Sequence, residues 1–430
     1  MSDKKRKYGI DEVPPLRDNL LYGLQWLAVA LPTIVVLGHT VANLHFSDPI
    51  AQTNYMQKLF FVMAFSMLLQ LFWGHRLPAV VGPASIFLVG IAASQSSGLD
   101  TIYSSILIGG VILTLISVTG LFAKLQKLFS RQVVATILIL IAVTILPTII
   151  NLIFSVPASG MEFFHFVFAL VLIFAMLIAN RFLKGILKST LIIWTLVISS
   201  GIYILLVPDY KWMSGTASSV FSNFFRGLDF SFSFDAGVLI SFIICFLALS
   251  INDLGTIQAL GQLLGADKME KRVSAGVTVT GLTNILAGFI GVIGPVNYAL
   301  STGVIASTGI ASRFTLVPTG IALIVISFMP GVVSFISGIP PLIIGVVFLY
   351  IMCTQIAAGL TTAFASSSFI FEDGLIIGVP LMLGLIVSFL PEAAITSMPG
   401  LLRPVLGNGF AVGTVTVLVM EHVIFRKKKA

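Results

Sequence analysis

Asp253 is the one charged residue in a thirty-residue apolar stretch that runs from Gly237 to Ala266. An ionisable side chain deep in so apolar a helix is costly, and by default it marks a functional site. Asn252 precedes it, and Thr256 lies about one helical turn after Asn252 on the same face. This pattern predicts a polar site that binds a ligand or a proton. The alternative is that Asp253 only ties its helix to a neighbouring helix by hydrogen bonds.

Two other stretches break apolar runs with proline and glycine, namely RLPAVVGPASIFLVG (76–90) and GVIGPVNYALSTGVIAS (291–307). In each, a proline-bounded stretch that favours extended backbone is followed by Ser, Ala or Thr at the start of a short apolar helix. The free N–H groups and the positive dipole end of such a helix can face a polar ligand. We therefore predict two discontinuous helices that present Ser85 and residues 298–301 to a ligand. The alternative is a pair of ordinary spans with proline kinks.

Motifs for covalent, redox or metal chemistry are missing from the sequence. Cys245 and Cys353 each lie inside an apolar segment, without the paired spacing of a disulfide framework or a zinc site. No Walker motif, nucleophile elbow or HExxH sequence is present. The five histidines fall near the ends of apolar segments and are predicted to be interfacial: His39, His45, His75, His165 and His422. The sequence thus predicts no catalytic residues and no metal ligands, which argues against an enzyme and against an ATP-driven pump.

The composition is that of an integral membrane protein. Of the 430 residues 57% are hydrophobic and 10% are charged, and the mean hydropathy is +1.07, whereas about 25% of an ordinary soluble domain is charged. The formal net charge is +7, but the basic residues punctuate apolar runs instead of clustering among polar neighbours, so no nucleic-acid partner is expected. The lipid bilayer is the expected surroundings.

The apolar runs predict fourteen membrane segments with both termini on the cytoplasmic side. The segments are 20–38, 58–73, 77–94, 103–123, 132–154, 163–180, 186–207, 237–255, 273–293, 298–310, 314–329, 341–359, 374–390 and 410–425. This arrangement leaves only Lys58, Lys211, Arg226 and Arg403, among the 24 Lys and Arg residues, on the outer side, as the positive-inside rule requires. An even number of spans, with one interrupted helix in each half, is typical of an inverted-repeat transporter.

Several stretches resemble the nucleobase–ascorbate transporter family, also called the second class of nucleobase:cation symporters, which includes bacterial xanthine and uracil permeases. The resemblance covers nearly the whole chain. It rests on YGIDEVPPL and GLQWLAVALPTIVV near the start, PAVVGPASIF in the third segment, INDLGTIQALG in the eighth, GLTNILAGFIG in the ninth, NYALSTGVIASTGIASR in the tenth and IPPLIIGVVFLY in the twelfth.

The resemblance implies an all-α membrane fold of fourteen segments in a 7+7 inverted repeat, with segments 3 and 10 discontinuous and partly extended. Residues 20–127 and 235–338 would form a core domain, and residues 128–234 and 339–425 a gate domain. Residues 1–19 and 426–430 would be cytoplasmic tails. It further implies a homodimer formed through the gate domain and an elevator-like movement of core against gate in the plasma membrane.

The family also has a signature in the tenth segment: an acidic residue, Gln or Pro, then Asn, any residue, Gly, four residues, Thr, and a basic residue or Gly. Gly303, Thr308 and Gly309 fit this signature, whereas Leu300 and Ser301 occupy its first two positions and do not fit. In the family a carboxylate of the eighth helix grips the base, and Asn252 stands at that position here. Thr256 stands where a coupling His or acid often lies, and Leu300 replaces the second carboxylate.

Together these features predict a secondary-active importer of a nucleobase, such as uracil or a xanthine-like purine. Asp253 is the predicted coupling residue. The predicted ligand contacts are Asn252, Thr256, Ser85, Tyr298, Ala299, Leu300, Ser301 and Gln25. No cofactor is expected, and the coupling ion is expected to be H⁺, with Na⁺ as the alternative. Two other functions stay open: an anion carrier of the same fold, and an uncoupled facilitator.

Overall fold

The computed structural model describes residues 8–122, 130–154, 160–208, 210, 220–228, 230–364, 369–399 and 402–425. The first half contains α1 (Leu16–His45), α2 (Pro49–Phe72), β1 (Val81–Pro83), α3 (Ser85–Ala93), α4 (Leu99–Val118), α5 (Arg131–Thr144), α6 (Leu146–Phe154), α7 (Glu162–Phe182), α8 (Gly185–Ser189) and α9 (Leu191–Leu206). The second half contains α10 (Ala236–Leu264), α11 (Met269–Ile290), β2 (Pro295–Asn297), α12 (Leu300–Thr308), α13 (Val317–Ser327), α14 (Pro330–Ser337), α15 (Pro341–Ala363), α16 (Phe371–Ser388), α17 (Glu392–Thr396), α18 (Arg403–Leu406) and α19 (Gly409–Val419).

The protein is a polytopic helical membrane protein. Nine helices in the described part of the chain are long and apolar enough to cross a bilayer, and a tenth span results if Arg313–Ser327 and Pro330–Ser337, bent by 94°, count as one. Two apolar helices, Leu191–Leu206 and Gly409–Ile424, are shorter. The helices α3 and α12 have nine residues each, so each is roughly 14 Å long and reaches about halfway across a bilayer. The total of fourteen segments stays a prediction.

The two interrupted segments meet in a small antiparallel sheet. Val81, Gly82 and Pro83 of β1 pair with Asn297, Val296 and Pro295 of β2. Flanking bonds extend the pairing at both ends, because the amide of Ala84 donates to the carbonyl of Gly294 and the amide of Tyr298 donates to the carbonyl of Val80, each at 2.9 Å. A half-length helix follows each strand. The prediction that both interrupted segments contain an extended stretch is confirmed.

Long helices pack in two groups around these elements. In the first group, α2 contacts α1, α11 and α13, and α4 contacts α10 and α11. In the second group, α15 contacts α5, α6 and α7, and α16 contacts α5 and α19. Glycines allow the closest of these approaches: a Cβ on Gly288 of α11 would lie 2.6 Å from the backbone of Tyr103 and Leu107 in α4. Small residues at such crossings are typical of helix association in membranes.

The helix α10 carries Asp253 and is defined at both ends by local sequence. The side chain of Asp235 accepts a hydrogen bond from the amide of Val238 at 2.9 Å and so caps the first turn. Gly265 ends the helix in the left-handed conformation, with φ at +60°, which a glycine adopts without steric cost. The 29 residues between these caps place Asp253 well inside the helix, as the sequence predicts.

Candidate functional site

A cavity of about 530 Å³ lies between the two helix groups. The lining comes from α1 and α10 of the first group and from α5, α7 and α15 of the second. Val296 of β2 and residues of the short elements α3, α8, α9 and α12 complete it. Most of the lining is apolar, including Val29, Ile141 and Met352. A cavity of this size, with apolar walls and a few polar groups, suits a small organic ligand.

Four half-buried polar side chains line this cavity without hydrogen-bond partners in the described part of the chain. They are Asn252, Ser85, Gln355 and Asn180. Two other hydroxyl groups in the lining already have acceptors, because Thr33 donates to the carbonyl of Ala30 and Thr354 donates to the carbonyl of Ile351. Asn252, Ser85 and Gln355 therefore offer both donors and acceptors to a ligand.

Both half-length helices begin at the cavity wall. The residues before their first turns, Ala84 and Ala299, line the cavity and make no side-chain capping bond. The amides of Phe87, Ser301 and Thr302 in these first turns already donate to carbonyls of the preceding residues, so only the N–H groups before them are left for a ligand. The helix dipole places about half a positive charge at each of these ends. The starts of α3 and α12 thus favour a ligand that accepts hydrogen bonds or carries negative charge.

Tyr298 connects β2 to α12 and is held tightly. Its hydroxyl donates to the carbonyl of Pro83 at 2.6 Å, and its ring lies against Gly82, where an added Cβ would approach ring atom Cε2 at 2.5 Å. Tyr298 is half-buried and lines the cavity. The ring is therefore a fixed aromatic surface beside Asn252 and Ser85 in the cavity lining.

Asp253 lies behind the cavity wall instead of in it. Its side chain is fully buried and does not line the cavity. One carboxylate oxygen, Oδ1, accepts hydrogen bonds from the backbone N–H of Asn297 at 3.1 Å and from its side-chain Nδ2 at 2.6 Å. The other, Oδ2, accepts from the hydroxyl of Thr280 at 2.6 Å. Asp253 thereby joins α10 to β2 and to α11.

Asn297 extends this network to the loop before β1. Its Oδ1 lies 3.0 Å from Nε2 of His75. The amide of Leu77 donates to the other ring nitrogen, Nδ1, at 2.9 Å, so Nε2 carries the proton and donates to Asn297. The backbone carbonyl of Asn297 accepts from the hydroxyl of Thr256 at 3.3 Å. Asn297 is thus held through its backbone and its side chain.

The remaining bonds anchor this network in α2 and α11. Gln70 donates to the hydroxyl of Thr280 at 3.0 Å and to the carbonyl of Gly276 at 2.9 Å. Arg272 donates to the carbonyl of His75 at 3.0 Å. Every polar partner of Asp253 is therefore itself fixed, which makes the crossing of β1 and β2 a rigid part of the site.

The structure separates the predicted ligand contacts into two sets. Ser85, Asn252, Tyr298, Ala299 and Leu300 line the cavity, and so does Gly303 of the signature. Thr256, Ser301 and Gln25 do not line the cavity, which corrects their assignment as ligand contacts. Thr256 points to Asn297, as described above, and the hydroxyl of Ser301 accepts from the amide of Val80 at 2.9 Å.

Gln25, the end of α12 and the histidines are the remaining predicted features. The side chain of Gln25 has a buried Nε2 without a partner in the described part of the chain, so it faces protein instead of the cavity. Gly309 ends α12 with φ at +76°, which explains a glycine there, and the side chain of Thr308 lies outside the described residues. The prediction of interfacial histidines is wrong for His39, His75 and His165, which are buried.

The fold and the cavity define a polytopic membrane transport protein, because broken helices that meet at a ligand-sized cavity between two helix groups are the site of alternating-access carriers. The chain belongs to the Permease family of xanthine and uracil permeases, whose family model matches residues 17–393. The resemblance noted in the sequence is thereby confirmed, and the family consists of permeases, not enzymes.

Similar proteins match this chain over nearly its full length. A protein of Clostridium perfringens that bears the name purine permease is 27% identical over 97% of this chain and 92% of its own length. The xanthine permease of Bacillus subtilis is 26% identical over 94% of this chain and 92% of its own length. Among solved structures, the transmembrane domain of a cyanobacterial bicarbonate transporter matches with a TM-score of 0.62 and 16% identity, over 87% of this chain and 96% of that one. That likeness concerns the fold alone.

Proposed function

We propose that this protein imports a nucleobase, uracil or a xanthine-like purine, by proton-coupled secondary-active transport. The observation that carries the proposal is the cavity between the two helix groups, in which Asn252 and Ser85 have no protein partners. The names of the relatives, which are purine, xanthine and uric acid permeases, support the same class of substrate.

The chemistry of the lining suits a planar heterocycle. A nucleobase presents alternating donors and acceptors along one edge, and the amides of Asn252 and Gln355 can each donate and accept. The ring of Tyr298 offers a face for stacking. The volume of about 530 Å³ leaves room for one base with some water. The base is thus bound without the carboxylate that the family usually places on the eighth helix.

An elevator movement is supported by the packing. The first helix group corresponds to the proposed core of residues 20–127 and 235–338. The half-helix α3 contacts α1 and α10 of this group, and α12 follows β2, which contacts α10 and α11. The cavity lies between this group and the proposed gate. Contact between the short helices α8 and α12 crosses this boundary. We propose that the core carries the base past the gate in the plasma membrane, with both chain termini cytoplasmic. A homodimer formed through the gate belongs to the same proposal.

Asp253 is the proposed coupling residue. As an ionised carboxylate it accepts three hydrogen bonds, two of them from Asn297. A protonated carboxyl has one fewer acceptor position for these donors, so uptake of a proton would loosen β2 and with it the start of α12. Asp253 can in this way link proton binding to the shape of the cavity, although it does not line the cavity itself.

Uptake by the purified protein in proteoliposomes tests the function. An inward proton gradient is expected to drive concentrative uptake of radiolabelled uracil, xanthine or hypoxanthine, and a protonophore is expected to abolish it. A thermal-shift screen in detergent with the same bases, and with bicarbonate and sulfate, identifies the ligand class. Stabilisation by the simple anions and by none of the bases would replace this proposal with an anion carrier of the same fold. Uptake that only equilibrates would indicate an uncoupled facilitator.

Asn252→Ala is expected to raise the apparent KM for the transported base about tenfold, with little change in protein stability. The reason is that one or two hydrogen bonds to the base, each worth about 0.5–1.5 kcal/mol, are lost, and 1.4 kcal/mol corresponds to about a factor of ten. The matched control is Asn151→Ala, because Asn151 is exposed on α6 and lies outside the cavity. An unchanged KM in the Asn252 variant would remove this residue from the site.

A further inference from the structure

Residues 8–12 precede α1 and form a strap that lies along the chain just after α12. Tyr8 forms an isolated parallel bridge with Ile310, the second residue beyond the end of that half-helix. The backbone N–H of Arg313 donates to the carbonyl of Ile10 at 3.0 Å. This N-terminal strap is thus paired through its backbone with residues from the second half of the chain.

Side chains add to this pairing. The guanidinium of Arg313 donates through Nε to Oδ1 of Asp11 at 2.7 Å and through Nη1 to the carbonyl of Leu71 near the end of α2. The hydroxyl of Ser312, which is fully buried, donates to the carbonyl of Glu12 at 2.5 Å. The side chain of Arg313 is 13% exposed and that of Asp11 is 61% exposed, so the ion pair by itself contributes little. The strap therefore depends on several contacts that act together.

The half-helix α12 is held differently at its two ends. Its start lies in the cavity wall, and the strap binds just beyond its other end. Between these ends α12 contacts α10 of the first helix group on one side and the short helix α8 of the proposed gate on the other. Because α12 has only nine residues, it has few side chains that can anchor it by packing. Through the bond from Arg313 to Leu71 of α2, the strap ties the far end of α12 to the first helix group.

We propose that the N-terminal strap and Arg313 position α12 for transport. They hold the far end of α12 to the first helix group, so the start of α12 keeps its place in the cavity wall when the contact between α12 and α8 breaks. The inference rests on the proposed function where it concerns transport, and it goes beyond that function because it gives the residues before α1 a role. The alternative is that the strap only covers the end of the helix group.

Hydrogen exchange of the purified protein in detergent, read by mass spectrometry, tests the positioning without any transported base. In a variant that lacks residues 8–12, amide exchange in residues 300–313 is expected to be at least about tenfold faster, because the backbone pairing and the ion pair are lost together. Exchange in α3, the other half-helix, is expected to stay within about twofold, since α3 is not paired with the strap. Equal acceleration in both half-helices would indicate a general loss of packing and would overturn the proposal.

Arg313→Gln is a milder variant that keeps the backbone pairing. It is expected to speed exchange in residues 300–313 about threefold and to leave α3 unchanged, because it removes the bonds to Asp11 and to the carbonyl of Leu71. Asp267→Asn is the matched control: Asp267 forms a similar ion pair with Arg272 at 3.1 Å, with side chains 69% and 15% exposed. It is expected to leave exchange in residues 300–313 unchanged. The same slow exchange in the deletion variant, in Arg313→Gln and in the control would overturn the anchoring.

A disulfide shows whether the strap stays in place during transport. Tyr8→Cys combined with Ile310→Cys places thiols at the two partners of the parallel bridge, in a Cys353→Ala background because Cys353 is exposed. The oxidised protein is expected to take up the base as fast as the reduced protein in proteoliposomes. Arrest that a reductant reverses would mean that the strap must open, and failure of the two cysteines to bridge would contradict the pairing; either result would overturn the proposal.

Uptake kinetics separate a role in transport from a role in packing alone. Deletion of residues 8–12 is expected to raise the apparent KM for the base about fivefold, because the start of α12 is less well fixed in the cavity wall. Unchanged kinetics in that variant would overturn the role in transport and leave the proposed function intact. Absence of uptake by the unaltered protein would overturn the proposed function, whereas the exchange of α12 would still decide whether the strap anchors it.

Discussion

Replacing Asp253 with leucine is expected to abolish transport and to lower the stability of the folded protein by about 3–5 kcal/mol. The change leaves three buried donors without an acceptor, namely the hydroxyl of Thr280 and the backbone and side-chain N–H groups of Asn297. Removing one partner from a buried charged network typically has a cost of this size. Thermal unfolding in detergent, together with uptake in proteoliposomes, measures both effects.

Asp253→Asn distinguishes the structural role of this residue from its proposed role in coupling. The amide oxygen of asparagine can still accept from Asn297, and its NH₂ group can donate to the hydroxyl of Thr280, so the fold is expected to persist. The variant cannot bind a proton at neutral pH, and it is therefore expected to exchange substrate across the membrane without concentrating it. Asp100→Asn, at an exposed position in the first turn of α4, is the control and is expected to retain concentrative uptake.

Two results would contradict this account in different ways. Concentrative, pH-dependent uptake by Asp253→Asn would leave Asp253 as an anchor of β2 and would require another coupling group. Normal stability of Asp253→Leu would show that the network around Asn297 contributes little to the fold. In the second case the link between α10 and β2 could not transmit protonation to the cavity.

The interrupted segments could be predicted from the sequence because their cause is local. Proline and β-branched residues favour extended backbone over a few positions, and the half-helices follow immediately in the chain. The position of Asp253 deep inside its helix could also be predicted, because it follows from a single charge in a long apolar run. What local sequence cannot supply is the partner: Asn297 lies 44 residues from Asp253 along the chain, and His75 lies 222 residues from Asn297.

The directions in which individual side chains point could not be predicted from the sequence either. Adjacent positions in a helix differ by about 100°, so Asn252 faces the cavity while Asp253 faces α11 and β2. Thr256 lies one turn from Asn252, yet its hydroxyl is used by the carbonyl of Asn297. His75 looked interfacial because it follows the end of α2, but the chain turns back into the protein there and buries it completely. The pattern of residue types along the sequence predicts neither the facing of a side chain on its helix nor the point where the chain turns back into the protein.

Gly82→Ala is expected to reduce transport at least tenfold and to lower stability by about 1–3 kcal/mol, the usual range for an overpacked buried site. The added Cβ would lie 2.5–2.7 Å from the ring atoms Cε2 and Cζ and the hydroxyl of Tyr298. That ring cannot simply swing away, since its hydroxyl is bound to the carbonyl of Pro83. Either the ring or the pairing of β1 with β2 must therefore shift.

A second substitution shows which of these movements matters. In Gly82→Ala combined with Tyr298→Ala the clash is absent, so stability is expected to recover relative to Gly82→Ala alone, whereas transport is expected to remain low because the aromatic surface is missing. Gly255→Ala is the control, because no other atom lies within 4 Å of the added Cβ, and it is expected to transport normally. Full transport by Gly82→Ala would mean that the Tyr298 ring need not be fixed. Recovery of transport in the double variant would mean that the base is held by Asn252, Ser85 and the helix starts without stacking on Tyr298.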